Sequence, residues 1–198
     1  MSSPSPTLVL ISQSPRRREL LLSAGQLPLI CPSNAEEDAW DADPLQQAQA
    51  IAHQKLAALD AGRLAALGPG VAELPRLAAD TLVVLDGRVL GKPQDGQQAC
   101  AMLRALGGRA HRVITGVVLR HGHRERAFAV STEVSFRPLT ELDISRYVAS
   151  GEPFDKAGGY GIQGLGGALV HEVHGSYTNV IGLPLWQTLA ALDALGAP

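Results

Sequence analysis

Two serines and two arginines lie close together in the run SQSPRR, which occupies residues 12–17. Four apolar residues at 8–11 precede it and predict a short buried strand, and Ser14 followed by Pro15 is typical of a helix N-terminus. A strand that leads into a helix presents unpaired backbone N–H groups, to which serine and arginine side chains would add further donors. The run therefore favours a phosphate site, although a capped helix with solvated arginines fits the same residues. The spacing of a P-loop is absent from it.

Carboxylates that could activate water or hold a metal occur in two places. Asp80 lies at the start of a buried strand that the apolar run 82–85 predicts, and a buried carboxylate needs a hydrogen bond, a cation or a metal. The alternative is that Asp80 caps a turn. Glu36 and Glu37 are candidates for a second metal-binding carboxylate, and a solvated acidic loop explains them equally well.

Lysine is rare in this chain, because only three lysines accompany 14 arginines. A lysine offers a compact ammonium group on a flexible stem, which suits a phosphate ligand. Lys55 lies in a predicted helix over 43–59, which begins with an Asp-Pro signature. Lys92 lies on the return limb of a hairpin, because the Asp-Gly pair at 86–87 between two apolar runs predicts a tight turn. The hairpin would bring Lys92 near Asp80.

A glycine-rich stretch at 152–167 holds six glycines between Gly158 and Gly167, together with Tyr160 and Gln163. Such a segment lets the backbone approach a ligand, and the amide of Gln163 can both donate to and accept from a base edge. A flexible linker would have a similar glycine content, but it has no need of an embedded Tyr, Ile and Gln. We therefore predict a ligand-binding loop.

The composition is that of an ordinary globular protein. Of 198 residues, 45% are hydrophobic and 18% are charged, the formal net charge is −2, and two cysteines do not make a disulfide framework. The sequence has no basic run that would predict a nucleic-acid surface. No apolar segment approaches the length of roughly 20 residues that is needed to cross a bilayer. The N-terminus lacks the basic and apolar regions of a signal peptide. These features indicate a cytoplasmic protein that binds neither nucleic acid nor membrane.

The order of the predicted elements indicates a mixed α/β (α+β) fold in a single domain over residues 1–198. Further helices are predicted at 95–106, 140–150 and 185–195, and further strands at 88–90, 112–119, 127–136 and 168–173. Residues 60–76 contain several glycines and prolines, which predict an irregular connection or a frayed helix end. The hairpins exclude a purely parallel sheet.

Taken in order, these motifs resemble the Maf family of nucleoside triphosphate pyrophosphatases. The resemblance runs from residue 8 to about residue 192 and rests on SQSPRRRELL (12–21), ADT (79–81), LGKP (90–93), TGV (115–117), EPFDKAGGYGIQG (152–164) and GSYTNVIGLPL (175–185). It implies a Maf/ITPase-like fold in which two lobes enclose a nucleotide cleft, around a bent mixed β-sheet with flanking helices. It also implies a homodimer, and hydrolysis of a nucleoside triphosphate to the monophosphate and pyrophosphate.

The resemblance also implies roles for particular residues. Asp80 would be the catalytic carboxylate that accepts a proton from the attacking water. Glu37, together with Asp80, would bind a divalent metal cofactor, Mg²⁺ or Mn²⁺, and Glu36 remains the alternative to Glu37. The triphosphate would be held by Ser12, Ser14, Arg16, Arg17, Lys55 and Lys92.

Three positions bear on the choice of substrate. The resemblance implies two branches of the family, one that acts on dTTP and UTP and one that acts on 7-methyl-GTP, which differ at three positions. At these positions this chain has Arg16, Thr81 and Gln163, and all three match the dTTP/UTP branch. We therefore predict a dTTP/UTP pyrophosphatase. The alternatives are 7-methyl-GTP or a modified pyrimidine triphosphate as the substrate, and a nucleotide-binding division regulator with little catalysis.

Overall fold

The computed structural model describes residues 5–33, 35 and 43–196. Its strands are β1 (Leu8–Ile11), β2 (Pro28–Ile30), β3 (Arg76–Leu85), β4 (Arg88–Leu90), β5 (Ala110–His121), β6 (Arg124–Phe136) and β7 (Val170–His174). Its helices are α1 (Pro15–Ser23), α2 (Pro44–Ala57), α3 (Ala61–Ala66), α4 (Gly96–Leu106), α5 (Glu141–Ala149), α6 (Tyr177–Ile181) and α7 (Leu185–Ala194). Short 3-10 helices span Val71–Glu73, Glu152–Asp155, Ala157–Gly159 and Gly164–Leu169.

The strands of the described residues form one mixed sheet in the order β2-β1-β3-β5-β6-β7, with β4 paired to β3. β1 runs parallel to both β2 and β3, whereas β4 is antiparallel to β3 and β7 is antiparallel to β6. All four residues of β1 are buried, as is typical of a parallel strand covered on both faces. The sheet and its helices confirm the prediction of a mixed α/β fold around a mixed sheet.

The chain divides into two compact units, and the first comprises residues 1–80, 115–130 and 182–198. Helix α2 is capped at its N-terminus by Asp43, whose Oδ1 accepts a hydrogen bond of 3.0 Å from the backbone N–H of Leu45. Its apolar residues recur at helical spacing and are buried, and Lys55 lies on the same buried side. The core of this unit is formed by Val9, Ile11, Cys31, Ala52, Leu56, Leu59, Leu64, Val71, Ala78 and Val118.

The second unit comprises residues 81–114 and 131–181. The turn between β3 and β4 has Asp86 at φ +49° and Gly87 at φ +76°, which is the tight hairpin that an Asp-Gly pair predicts. Helix α5 begins with the predicted capping box, in which Thr140 and Asp143 exchange side-chain-to-backbone hydrogen bonds of 2.8 and 3.1 Å. The core is formed by Val83, Leu85, Leu103, Leu106, Val113, Val134, Phe136, Ile144, Tyr147, Tyr160 and Leu169.

Some elements differ from those that the sequence predicts. β3 begins at Arg76 instead of residue 82, because its first residues pair with β1, so Asp80 lies within the strand and not at its start. Residues 61–66, for which the sequence predicts an irregular connection or a frayed helix end, form the separate helix α3, capped by Asp60. No helix in the described residues has the length and apolar content needed to cross a bilayer. The single domain over 1–198 stays a prediction.

Candidate active site

The turn after β1 and the middle of β3 are brought together by strand pairing. Ile11, the last residue of β1, pairs with Ala78 of the parallel strand β3. Ser12 therefore leaves the sheet beside the part of β3 that carries Asp80, which lies two residues beyond Ala78, or about 7 Å along the strand. Ligands commonly bind where a parallel strand ends and a helix begins. Local pairing thus places the SQSPRR run and Asp80 at the same end of β1.

The turn itself is organised around the hydroxyl of Ser12. Its Oγ accepts hydrogen bonds from the backbone N–H of Ser14 at 3.1 Å and from Nη1 of Arg17 at 3.0 Å. Ser14 takes the N-cap position of α1, but its side chain makes no capping hydrogen bond. Because the Ser12 oxygen accepts two hydrogen bonds, its own proton is what it can offer to an anion.

The two arginines of the run have different surroundings. Arg17 is 8% exposed, and its Nε donates to the backbone carbonyl of Gly182 at 2.8 Å, so two of its donors hold the turn and the segment before α7 together. Arg16, in the first turn of α1, is half-buried. That both arginines grip phosphate stays a prediction, and Arg17 has in addition a structural role that the sequence does not reveal.

Lys55 and Asp80 form a buried ion pair. Nζ of Lys55, in the last turn of α2, lies 2.6 Å from Oδ1 of Asp80, and each side chain is 11% exposed. The alternative that Asp80 caps a turn is wrong, because the residue lies within β3. A buried ion pair contributes little net stability, since desolvation of both charges offsets their attraction. An ion pair of this kind beside a phosphate-site motif is therefore a candidate for a catalytic role.

The residues near Asp80 can be tested for their fit to a divalent metal. Among the residues that the structure describes, no three His, Cys, Asp or Glu side chains are placed to hold a metal ion together. Mg²⁺ is usually bound by one or two carboxylates together with substrate phosphates, so the carboxylate of Asp80 fits a metal that arrives with a phosphorylated ligand. Glu36 and Glu37 lie outside the described residues, and the assignment of Glu37 stays a prediction.

The remaining predicted site residues lie in the second unit. Thr81 follows Asp80 in β3 and is half-buried, and its side chain lies on the opposite face of the sheet because successive strand residues alternate. Lys92 lies two residues beyond β4 and is exposed. Gln163 immediately precedes the 3-10 helix Gly164–Leu169 and is also exposed. That these three side chains act together with Asp80 stays a prediction.

The glycine-rich stretch is anchored in the second core through Tyr160. The Tyr160 hydroxyl lies 2.7 Å from Nε2 of His111, and the rings of His111, Phe136 and Tyr160 pack edge to face with centroids 4.7, 5.1 and 5.3 Å apart. Burial lowers the pKa of His111 to about 4 and raises the pKa of Tyr160, so both are neutral near pH 7. The interpretation as a flexible linker is therefore wrong.

Some residues that hold the described elements together receive no role from the sequence. Gly116, His111, Tyr147 and Glu152 each act through partners that are distant along the chain or on another element. Gly116 and Glu152 do stand inside the quoted motifs TGV and EPFDKAGGYGIQG. Motif membership could have marked these two as candidates, whereas nothing local distinguishes Tyr147 from any other aromatic residue of an amphipathic helix.

Known proteins with similar sequences cover almost the whole chain. The family model for Maf-like proteins matches residues 7–195. Curated relatives include a dTTP/UTP pyrophosphatase of Saccharophagus degradans, 44% identical over 98% of this chain and 91% of the relative. A dTTP/UTP pyrophosphatase of Anaeromyxobacter sp. (strain Fw109-5) is 47% identical over 96% of this chain and 90% of the relative. A third, of Bacillus pumilus, is 42% identical over 96% of both chains.

Proposed function

We propose that this chain, because it belongs to the Maf-like protein family, is a nucleoside triphosphate pyrophosphatase that hydrolyses dTTP and UTP to the monophosphate and pyrophosphate. Three bacterial relatives that this chain matches over nearly their full length are named dTTP/UTP pyrophosphatase. The structural observation that supports the activity is the buried pair of Lys55 and Asp80, 2.6 Å apart, beside the turn that carries Ser12. Arg16, Thr81 and Gln163 support the choice of dTTP and UTP by their residue types.

In the proposed reaction Asp80 takes a proton from the attacking water. The water oxygen forms a bond to phosphorus, the α–β anhydride bond breaks, and its electron pair leaves with the pyrophosphate oxygen. Lys55 holds Oδ1 of Asp80 at 2.6 Å, which fixes the orientation of the carboxylate toward the water. Lys55 and Asp80 are shielded from bulk water, which strengthens both their ion pair and the attraction of the Lys55 ammonium group for phosphate.

The triphosphate is held by cationic and hydroxyl groups of the predicted site residues. Ser12 offers its hydroxyl proton, and Arg16 and Lys92 offer charge from the helix N-terminus and from the segment after β4. Arg17 contributes by holding Ser12 and Gly182 in place, in addition to any contact with phosphate. These cations offset the negative charge that develops on the phosphate oxygens as the anhydride bond breaks.

A divalent metal completes the proposal, with Asp80 and Glu37 as its protein ligands. When bound, Mg²⁺ or Mn²⁺ would polarise the phosphoryl oxygens and neutralise part of their charge. The donor set is suitable because both ions prefer oxygen ligands and accept phosphate oxygens of the substrate in the same shell. We further propose a cytoplasmic homodimer that binds neither nucleic acid nor membrane. Free Cys31 and Cys100 agree with a reducing compartment.

The decisive experiment is a panel of triphosphates assayed for pyrophosphate with Mg²⁺ and with Mn²⁺. We expect release of pyrophosphate from dTTP and UTP at a higher kcat/KM than from 7-methyl-GTP or modified pyrimidine triphosphates, and no activity after chelation of the metal. Release of orthophosphate would overturn the proposal that the α–β bond is cleaved. A higher kcat/KM for 7-methyl-GTP would overturn the proposal that dTTP and UTP are the substrates. Nucleotide binding without turnover across the panel would instead indicate a regulator. Light scattering would test the dimer.

A further inference from the structure

The glycine-rich stretch is folded around the carboxylate of one of its own residues. Oε1 of Glu152 accepts hydrogen bonds from the Tyr147 hydroxyl at 2.9 Å and from the backbone N–H of Gly166 at 3.1 Å. Oε2 accepts one from the backbone N–H of Leu165 at 3.0 Å. The hydroxyl of Tyr147 in turn accepts one from the backbone N–H of Gly161 at 3.1 Å. Backbone groups that a glycine-rich sequence could offer to a ligand are thus directed at Glu152 and Tyr147.

This arrangement is tight and leaves no room for side chains on the inner surface of the loop. A β-carbon at Gly164 would lie 2.9 Å from Oε2 of Glu152, and one at Gly166 would lie 2.7 Å from the Tyr147 hydroxyl and 2.2 Å from the carbonyl oxygen of Gly161. Tyr147 is 4% exposed and belongs to the core of the second unit, and burial raises the pKa of its hydroxyl. The loop is therefore fastened to helix α5 through a buried group.

Gln163 lies between the fastened positions. Gly161 on one side of it and Leu165 and Gly166 on the other are held by Tyr147 and Glu152, while Gln163 itself is exposed. Fixing the backbone on both sides of an exposed residue restricts the directions in which its side chain can project. Charge-assisted hydrogen bonds to a carboxylate are among the stronger ones that a loop can make.

We propose that Glu152, together with Tyr147, is a positioning residue that holds the loop 161–166 so that Gln163 meets the base of the nucleotide in one orientation. The inference rests on the proposed function, in which Gln163 contributes to the choice of base. Glu152 touches no substrate in this proposal, since both of its carboxylate oxygens accept hydrogen bonds from within the chain. It follows that the loop recognises the base through Gln163 and does not cradle the triphosphate with the N–H groups of Gly161, Leu165 and Gly166.

The test compares Glu152→Gln and Tyr147→Phe with Glu141→Gln, which makes the same change of charge at an exposed residue of α5. Amide hydrogen exchange of the wild-type protein and of each variant is followed by peptide. We expect exchange in residues 161–167 to become about ten- to a hundredfold faster in Glu152→Gln and Tyr147→Phe, with the rest of the second unit unchanged. Unchanged exchange in this segment, or acceleration across the whole unit, would overturn the proposal.

Kinetics then tests whether the loop acts through Gln163. The ratio of kcat/KM for dTTP to that for dCTP, whose base edges differ in donors and acceptors, should fall about tenfold in Glu152→Gln, mainly through KM. In Gln163→Ala, adding Glu152→Gln should lower the ratio no further, because both changes remove the same contact. An additive loss, or a loss of kcat alone with the ratio kept, would overturn the role in positioning.

Two outcomes separate this inference from the proposed function. If the wild-type protein hydrolyses no triphosphate, the proposed function fails and the kinetic part of the inference fails with it, while hydrogen exchange still decides whether Glu152 and Tyr147 hold the loop. If Glu152→Gln does not fold, Tyr147→Phe decides by the same two measurements, since it removes one hydroxyl from the same network. Wild-type behaviour of Tyr147→Phe in both would then overturn the inference.

Discussion

A β-carbon at Gly116 of β5 would lie 2.3 Å from the carbonyl carbon and oxygen of Ala48 on α2. The backbone of the helix therefore rests directly on the strand at this point. Lys55, two turns further along the same helix, lies 2.6 Å from Asp80. The absence of a side chain at position 116 thus allows α2 to approach the sheet closely enough for the ion pair to form.

Gly116→Ala should displace α2 from the sheet. We expect the free energy of unfolding to fall by at least about 1–3 kcal/mol, because the new methyl group would overlap backbone atoms that cannot rotate away. Pyrophosphatase activity should fall with it as Lys55 moves from Asp80. Urea unfolding measures the first effect, and Gly96→Ala is the control, since its methyl would meet only Val148 at 3.6 Å. Equal stability of the two variants would contradict the role of Gly116.

The ion pair of Lys55 and Asp80 can be tested by removing its charges one at a time. Lys55→Met leaves a buried carboxylate without its cation, and we expect the free energy of unfolding to fall by about 3–5 kcal/mol. The double variant Lys55→Met with Asp80→Asn should recover most of this loss, because no unpaired charge remains. Both Lys55→Met and the double variant should lack activity, and Asp80→Asn alone should lower kcat by about 10²–10⁴-fold. Recovered activity in the double variant would contradict the catalytic role.

Local chemistry made much of this fold predictable. The Asp43 cap, the Thr140–Asp143 capping box and the Asp86-Gly87 turn each depend on residues within a few positions of one another, and each is present where the sequence predicts it. The apolar run of β1 is confirmed for the same reason. Of the candidate site, the helix that carries Lys55 follows from such signals, whereas the sequence predicts Asp80 at the start of its strand and the structure has it within β3.

Long-range pairing explains what could not be predicted. β3 starts at Arg76 because its first three residues pair with β1, a partner more than sixty positions earlier, and nothing in the glycine-rich connection before it indicates this. The burial of the Arg17 side chain also depends on a distant partner, the backbone carbonyl of Gly182. Sequence periodicity shows which face of an element is apolar, but it does not show which distant backbone atom a buried polar group will meet.

Arg17→Lys should separate the structural role of Arg17 from simple charge. Lysine keeps the positive charge but cannot reproduce the two directed hydrogen bonds to Ser12 and to the Gly182 carbonyl. We expect the free energy of unfolding to fall by about 1–3 kcal/mol and KM for dTTP to rise, because the turn that carries Ser12 loses its support. Arg18→Lys makes the same change at the next, exposed residue and should alter neither quantity. Equal effects of the two substitutions would show that position 17 supplies charge alone.

The stability of the protein should decline with acid because of His111. Burial lowers its pKa to about 4 in the folded state, against about 6.5 in the unfolded chain, so the unfolded chain takes up the proton first as the pH falls. The stability that depends on neutral His111 is therefore complete above pH 6.5 and is lost between about pH 6.5 and 4, by roughly 3 kcal/mol.

His111→Gln, which cannot titrate but can still bond the Tyr160 hydroxyl, should show a shallower decline in urea unfolding over the same range. The control is His123→Gln, which replaces an exposed histidine between β5 and β6 and should keep the wild-type profile. Parallel pH profiles for the wild-type protein and His111→Gln would contradict a buried, neutral His111.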